Sequence, residues 1–106
     1  MANKEGPDTG LGRFGQPGTL VLLALAEGPK HGYAIMQEIE RSMGFAIGPG
    51  TLYGAIAKLM QSGLIVALPI EDRQRPYEIT PTGREALAEF VRAWAPIIRL
   101  GERRLA

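Results

Sequence analysis

The chain has 106 residues, with 12 Lys+Arg against 11 Asp+Glu, one His and no Cys. That length holds one small domain, and a composition 45% hydrophobic and 22% charged is that of a globular chain. Without cysteine there is no disulfide framework or thiolate metal site, and one histidine excludes a multi-His cage, so no metal and no cofactor is expected.

Residues 1–18 hold five glycines and two prolines with no apolar period, which predicts a flexible N-terminal arm. From Thr19 to Glu27 the chain is apolar nearly all round. Leu and Ala outnumber β-branched residues there, so the run predicts a short buried helix, stopped by Gly28 and Pro29. Its apolar stretch is about a third of the ~20 residues that a membrane span requires. It also lacks the flanks of a secretory signal, so a cytoplasmic protein with no membrane partner is expected. A second helix is predicted over 32–43, where Ile35, Met36, Ile39 and Met43 share one side and Gly44 supplies the stop. Gly48, Pro49, Gly50 and Thr51 open a third helix that runs to Gly63, with Leu52, Ile56, Leu59 and Met60 as its inward stripe. Residues 64–68 and 75–80 read as two strands of a hairpin, Tyr77 and Ile79 forming its apolar face and 69–74 its loop. Pro76 confines the second strand to an edge or places itself at the strand's first residues. The last helix starts at a capping box of Thr82 and Glu85, or at Thr80 with Pro81 in the first turn, and runs nearly to the end.

Helix, helix, helix, hairpin, helix is a mainly α arrangement with a small β-hairpin. It predicts a winged helix-turn-helix over 19–80, followed by a C-terminal dimerisation helix over 81–106. In that layout the third helix enters a DNA major groove. With its apolar stripe turned inward, its outer face presents Gly50, Thr51, Gly54, Ala57, Lys58 and Gln61, none of them acidic. Such a face approaches phosphates without like-charge repulsion. Gly54 costs ~1 kcal/mol relative to Ala inside a helix, which points to close backbone approach to the duplex, with tolerated drift or helix–helix packing as the alternatives. Thr51 and Tyr53 add hydroxyls for phosphates or base edges. His31 and Lys30, at the start of the second helix, are candidate phosphate contacts or ordinary surface residues. Arg73, Gln74 and Arg75 sit at the hairpin tip, where a wing meets a minor groove or the phosphates beside it.

Taken together, Gly28-Pro29-Lys30-His31-Gly32-Tyr33, Pro49-Gly50-Thr51-Leu52-Tyr53, the stretch from Leu59 to Ile65 and that from Tyr77 to Gly83 resemble the PadR family of bacterial transcriptional regulators. The resemblance runs from about Thr19 to Trp94. It implies a homodimeric winged-helix protein that binds double-stranded DNA, usually a repressor released by a small molecule or a stress signal. Carried over residue by residue, it puts Tyr33, Thr51, Tyr53 and Lys58 on the DNA face and Arg73 and Arg75 in the wing. Gly54 stands where the family often has Pro, and the wing is less basic than many.

Along the last helix Leu87, Val91, Trp94, Ile98, Gly101 and Leu105 are spaced 4, 3, 4, 3, 4, a heptad seam that Phe90 and Ile97 widen. A domain this small has little core to cover such a stripe, so self-association through Leu87, Val91, Trp94 and Ile98 is expected, with a palindromic operator as its consequence. The alternative is that the stripe packs on the first helix of its own chain. Pro96 lies off the seam and is expected to bend the helix without ending it. Trp94, with Phe90 and Ile97 or Ile98, is a candidate for a slot that takes a flat hydrophobic effector. The competing function is a protein–protein interaction module on the same scaffold, which the low net charge favours. No nucleophile–base pair or phosphate cradle suggests an enzyme.

Overall fold

The computed structural model describes residues 16–106, so the expected arm falls outside it up to residue 15. Four helices and three short strands follow in the order α1 (Pro17–Leu25), β1 (Lys30–His31), α2 (Gly32–Glu38), α3 (Pro49–Gln61), β2 (Ile65–Ala67), β3 (Pro76–Ile79) and α4 (Pro81–Leu105). A π-helical turn, Ile39–Met43, extends α2 to Gly44, which stops it in the left-handed region at φ 78°. The fold is a winged helix-turn-helix with a long C-terminal helix.

Helix α1 begins at Pro17, two residues before the expected Thr19, because a proline ring already holds the helical φ and lacks the N–H that a first turn leaves unpaired. Its Leu20, Val21, Leu22, Ala24 and Leu25 are all buried, and α2, α3, α4 and β3 pack around it. That is how an almost wholly apolar helix survives in water: it becomes the centre of the core. Leu23 alone of its leucines remains open, on the side of α4.

The stripe on α3 is Leu52, Ala55, Ile56 and Leu59, and Met60 is not part of it. Met60 is 39% exposed, a correction to the expected stripe. At about 100° per residue Met60 lies at one edge of the apolar arc, about 140° from the buried Ala55 at the other.

The expected hairpin is one half of a three-stranded antiparallel sheet of order β1-β3-β2. Ile65 faces Ile79 and Ala67 faces Tyr77 across the hairpin, while Lys30 faces Tyr77 on the other side. Pro76 is the first residue of β3, and β3 is the central strand; the proline has no N–H to give the ladder, but its carbonyl accepts from Leu68 N at 2.8 Å.

Two side chains tie α4 to the rest. Thr80, not Thr82, is its N-cap: the hydroxyl accepts from Gly83 N at 3.0 Å and donates to Gly63 O at 2.7 Å. Thr80 prevails because it satisfies a helix terminus and the turn after α3 together. Arg84 then reaches back and donates to Ala26 O at 2.8 Å, capping the carbonyl end of α1. Helix α4 continues unbroken through Pro96.

Candidate nucleic-acid interface

The outer face of α3 is open. Gly50, Thr51, Tyr53, Gly54, Ala57, Lys58 and Gln61 are all exposed, and Lys58 is the one charged residue in the helix. Gly50, Thr51, Gly54 and Lys58 line a concavity of about 470 Å³ whose other wall is the start of α1, from Gln16 to Gly18. Among the described residues nothing lies within 4 Å of a β-carbon built at Gly50 or Gly54, so neither glycine accommodates a described neighbour.

A second cleft, of about 200 Å³, lies between α3 and the wing. His31 and Tyr33 enter it from β1 and α2, Tyr53 from α3, and Arg73, Gln74, Arg75 and Tyr77 from the wing. All three tyrosines of the chain therefore meet in one place, beside two arginines and the single histidine. Tyr33 is 59% and Tyr53 49% exposed, so both rings present surface at the cleft. Tyr77 lies deeper. Burial pushes its phenol above the ordinary 10.0, Tyr53 adds to the rise, and Arg75 offsets part of it. Sequence reasoning placed Tyr77 only on the apolar face of its strand; the two-residue alternation toward the core was the visible signal, and its opening into this cleft was not.

The structure thus brings Tyr33, Tyr53, Arg73 and Arg75 together, and groups Gly50, Thr51, Gly54 and Lys58 next to them on α3. Gln61 is exposed at the far end of α3, outside both concavities. The Lys30 ammonium pairs with Glu27 at 3.5 Å and its side chain is largely covered, so Lys30 is not a simple solvated charge. Arg75 has a share in the fold as well, since Nη1 donates to Leu68 O at 2.8 Å and braces the base of the wing.

The wing tip is a two-residue turn. Glu71 and Gln74 exchange both backbone hydrogen bonds, at 2.8 and 2.9 Å, and Asp72 and Arg73 between them stand at φ 48° and 66°. That is the turn an Asn-Gly pair forms without strain, whereas L-residues pay roughly 1–2 kcal/mol each for left-handed backbone. An arginine held there is aimed outward by the turn itself. The double substitution Asp72→Asn with Arg73→Gly installs the preferred pair. It is expected to raise stability by about 1 kcal/mol in urea unfolding, and an unchanged midpoint would mean that the turn holds no strain.

On α4, Leu87 belongs to the core of its own chain, a correction to its place in the dimer seam. It lies in the second full turn, still over β3 and α1. Further along, Val91 and Ile98 are 48% and 43% exposed. With Leu23, Phe90 and Trp94 they line an apolar cleft of about 220 Å³ between α1 and α4, in which the Phe90 and Trp94 ring centroids are 6.2 Å apart. Ile97 is not in it. It lies about 120° around the helix from Val91, so of the two expected isoleucines it is Ile98 that lines the cleft and Ile97 that is corrected. The stripe packs on its own chain at Leu87 and in part at Phe90 and Trp94, while Val91 and Ile98 stay open.

The model of the transcriptional regulator PadR-like family matches residues 21–89, well over half the chain. The chain belongs to the PadR-like family. This PadR-like chain is 54% identical over 68 residues to a 37.1 kDa transposon protein of Streptomyces fradiae, covering 64% of itself and 20% of that protein. It therefore spans only a fifth of that relative's length. It is 37% identical over 82 residues to a transcriptional regulator of Mycobacterium tuberculosis, covering 74% of itself and 76% of that protein. Among solved structures, a transcriptional regulator from Clostridium thermocellum superposes with a TM-score of 0.73 at 28% identity, over 90% of this chain and 94% of the other. Bacillus subtilis PadR, solved in complex with operator DNA, shares the fold at a TM-score of 0.63 and 21% identity, over 70% of this chain and 45% of that one. PadR-like proteins are transcriptional regulators, not enzymes. Among the described residues, no group of three or more His, Cys, Asp or Glu is arranged to hold a metal ion, and no helix is long and apolar enough to cross a membrane.

Proposed function

We propose that this PadR-like chain is a DNA-binding repressor that reads a palindromic operator as a homodimer. Helix α3 enters the major groove, the Tyr33–Tyr53 cleft holds the adjacent phosphate backbone, and the wing extends along it. The observation that carries this is the meeting of two exposed tyrosines with Arg73 and Arg75 beside an α3 face free of carboxylates. Hydroxyls and guanidinium groups donate to phosphate oxygens, and charge-assisted bonds of that kind are the stronger ones. The apolar length of α4 past Val91 is the proposed seam between subunits, and the Phe90–Trp94 cleft the proposed seat of a small hydrophobic effector that releases DNA.

Charge placement matters more than total charge. Residues 19–89 carry six Lys+Arg and eight Asp+Glu. On the described reading face attraction to DNA comes from Lys58, Arg73 and Arg75, and six such cations in a dimer set a log–log salt slope of about −5 as the bound for that face alone. Fluorescence anisotropy against the DNA upstream of the protein's own gene tests this. Tyr53→Ala is expected to weaken binding about 10- to 100-fold, with salt dependence within that bound. No binding to any duplex would favour the second reading, a protein-interaction module, which the acidic balance of the winged domain supports. For the effector, Trp94 fluorescence is expected to be quenched by flat hydrophobic dyes, and a Trp94→Ala dimer that still takes them up would remove Trp94 from that role.

A further inference from the structure

Glycine at position 32 has no explanation in the backbone. Gly28, Gly44 and Gly63 stand at positive φ, 153°, 78° and 77°, where glycine is favoured; Gly32 does not. It opens α2, where alanine is the better helix former, and it is buried. What excludes a side chain is Tyr53. A β-carbon at position 32 would overlap the Tyr53 hydroxyl and lie 2.7 Å from its Cζ and 3.2 Å from its Cε1.

We propose that Gly32 is the positioning residue for Tyr53: the absent β-carbon forms the seat on which the phenol rests, and the seat aims the hydroxyl into the cleft shared by Tyr33, Arg73 and Arg75. The proposal rests on the DNA-binding reading above and adds to it how the recognition helix is keyed to α2. Tyr53 is attached to α3 but half exposed, and a phenol on a helix surface has more than one staggered rotamer available. Contact with the α2 backbone selects one of them. Because β1 leads directly into Gly32 and pairs with β3, the same contact sets the distance from the phenol to the wing. A methyl group at position 32 would push the ring out of the cleft without itself touching DNA. The neighbouring ring is no substitute, since Tyr77 is buried and cannot take the place of Tyr53 at the cleft mouth.

The test is a double-mutant cycle read in two ways, by urea unfolding and by anisotropy on the same duplex. Gly32→Ala is expected to lower the urea midpoint, and adding Tyr53→Ala is expected to restore it to that of Tyr53→Ala alone, because the overlap has gone. On DNA, Gly32→Ala is expected to lose as much affinity as Tyr53→Ala, about 10- to 100-fold, and the double variant no more than either. Stability losses that simply add would show that the seat does not exist. A coupled stability cycle with unchanged DNA affinity in Gly32→Ala would leave a packing contact and overturn the positioning role, while the DNA-binding reading survived. If the unaltered protein binds no duplex, that reading falls and the proposal with it, an outcome distinct from the other two.

Discussion

Aspartate at both Val91 and Ile98 is expected to convert the proposed dimer to a monomer in sedimentation equilibrium and to weaken binding to the proposed operator at least about 100-fold. Both side chains lie on the proposed seam of α4 and are close to half exposed in the single chain, so the substitutions leave the core of each copy intact. Far-ultraviolet circular dichroism should hardly change. In a paired α4 the same positions are covered, and an unpaired carboxylate there loses its water with nothing in return. The effect on DNA follows from linkage of the two reading heads: the second half-site is bound intramolecularly, and losing that advantage costs 10²–10⁴ in affinity, roughly, whatever each head does alone. A dimer that persists would move the subunit contact elsewhere on the chain. A monomer that binds DNA undiminished would show that one winged domain suffices.

The second large effect is expected at Gly83. A β-carbon there would overlap the carbonyl oxygen of Leu64, and it would stand 2.9 Å from Ile79 Cγ1. The carbonyl is backbone, already accepts from Thr80 N at 3.0 Å, and sits where Thr80 fastens α4 to the turn after α3. It has no easy way to retreat. Gly83→Ala is expected to destabilise the chain by about 2–3 kcal/mol, the upper range for overpacking, measured by urea unfolding. Gly54→Ala is the control, because nothing lies near its β-carbon; the exchange should stabilise α3 by up to about 1 kcal/mol. A loss below about 1 kcal/mol at Gly83 would mean that the close approach of α4 to the sheet is compliant rather than fixed.

Much of the fold was legible because its signals are local. Gly44 and Gly63 mark helix ends, Pro49 and Pro81 open helices, and the inward positions Leu52, Ile56 and Leu59 recur at the helical period. The errors were of a different kind. A two-residue strand, Lys30–His31, has no period to detect, and it exists because β3 offers it hydrogen bonds. Thr80 and Thr82 are both competent caps; what chose between them was a carbonyl seventeen residues back, at Gly63. Met60, Leu87 and Ile97 each fit a stripe by spacing, and each was reassigned by which neighbour happens to lie over that part of the helix.

The candidate interface divides in the same way. An α3 without carboxylates, hydroxyls at Thr51 and Tyr53, and arginines at the wing are properties of residue order alone, and those could be read directly. That Tyr33, Tyr53, Arg73 and Arg75 converge, that Lys30 is occupied by Glu27, and that Gly32 carries the weight of Tyr53 could not. The physical reason is range. Helical period, capping and turn preference act over a few residues and are written in the chain. The convergence of the cleft and the seat under Tyr53 join segments distant in sequence, and the Lys30 pairing depends on which surface is left uncovered. All of these come into being only when α1 is buried and the other elements close around it.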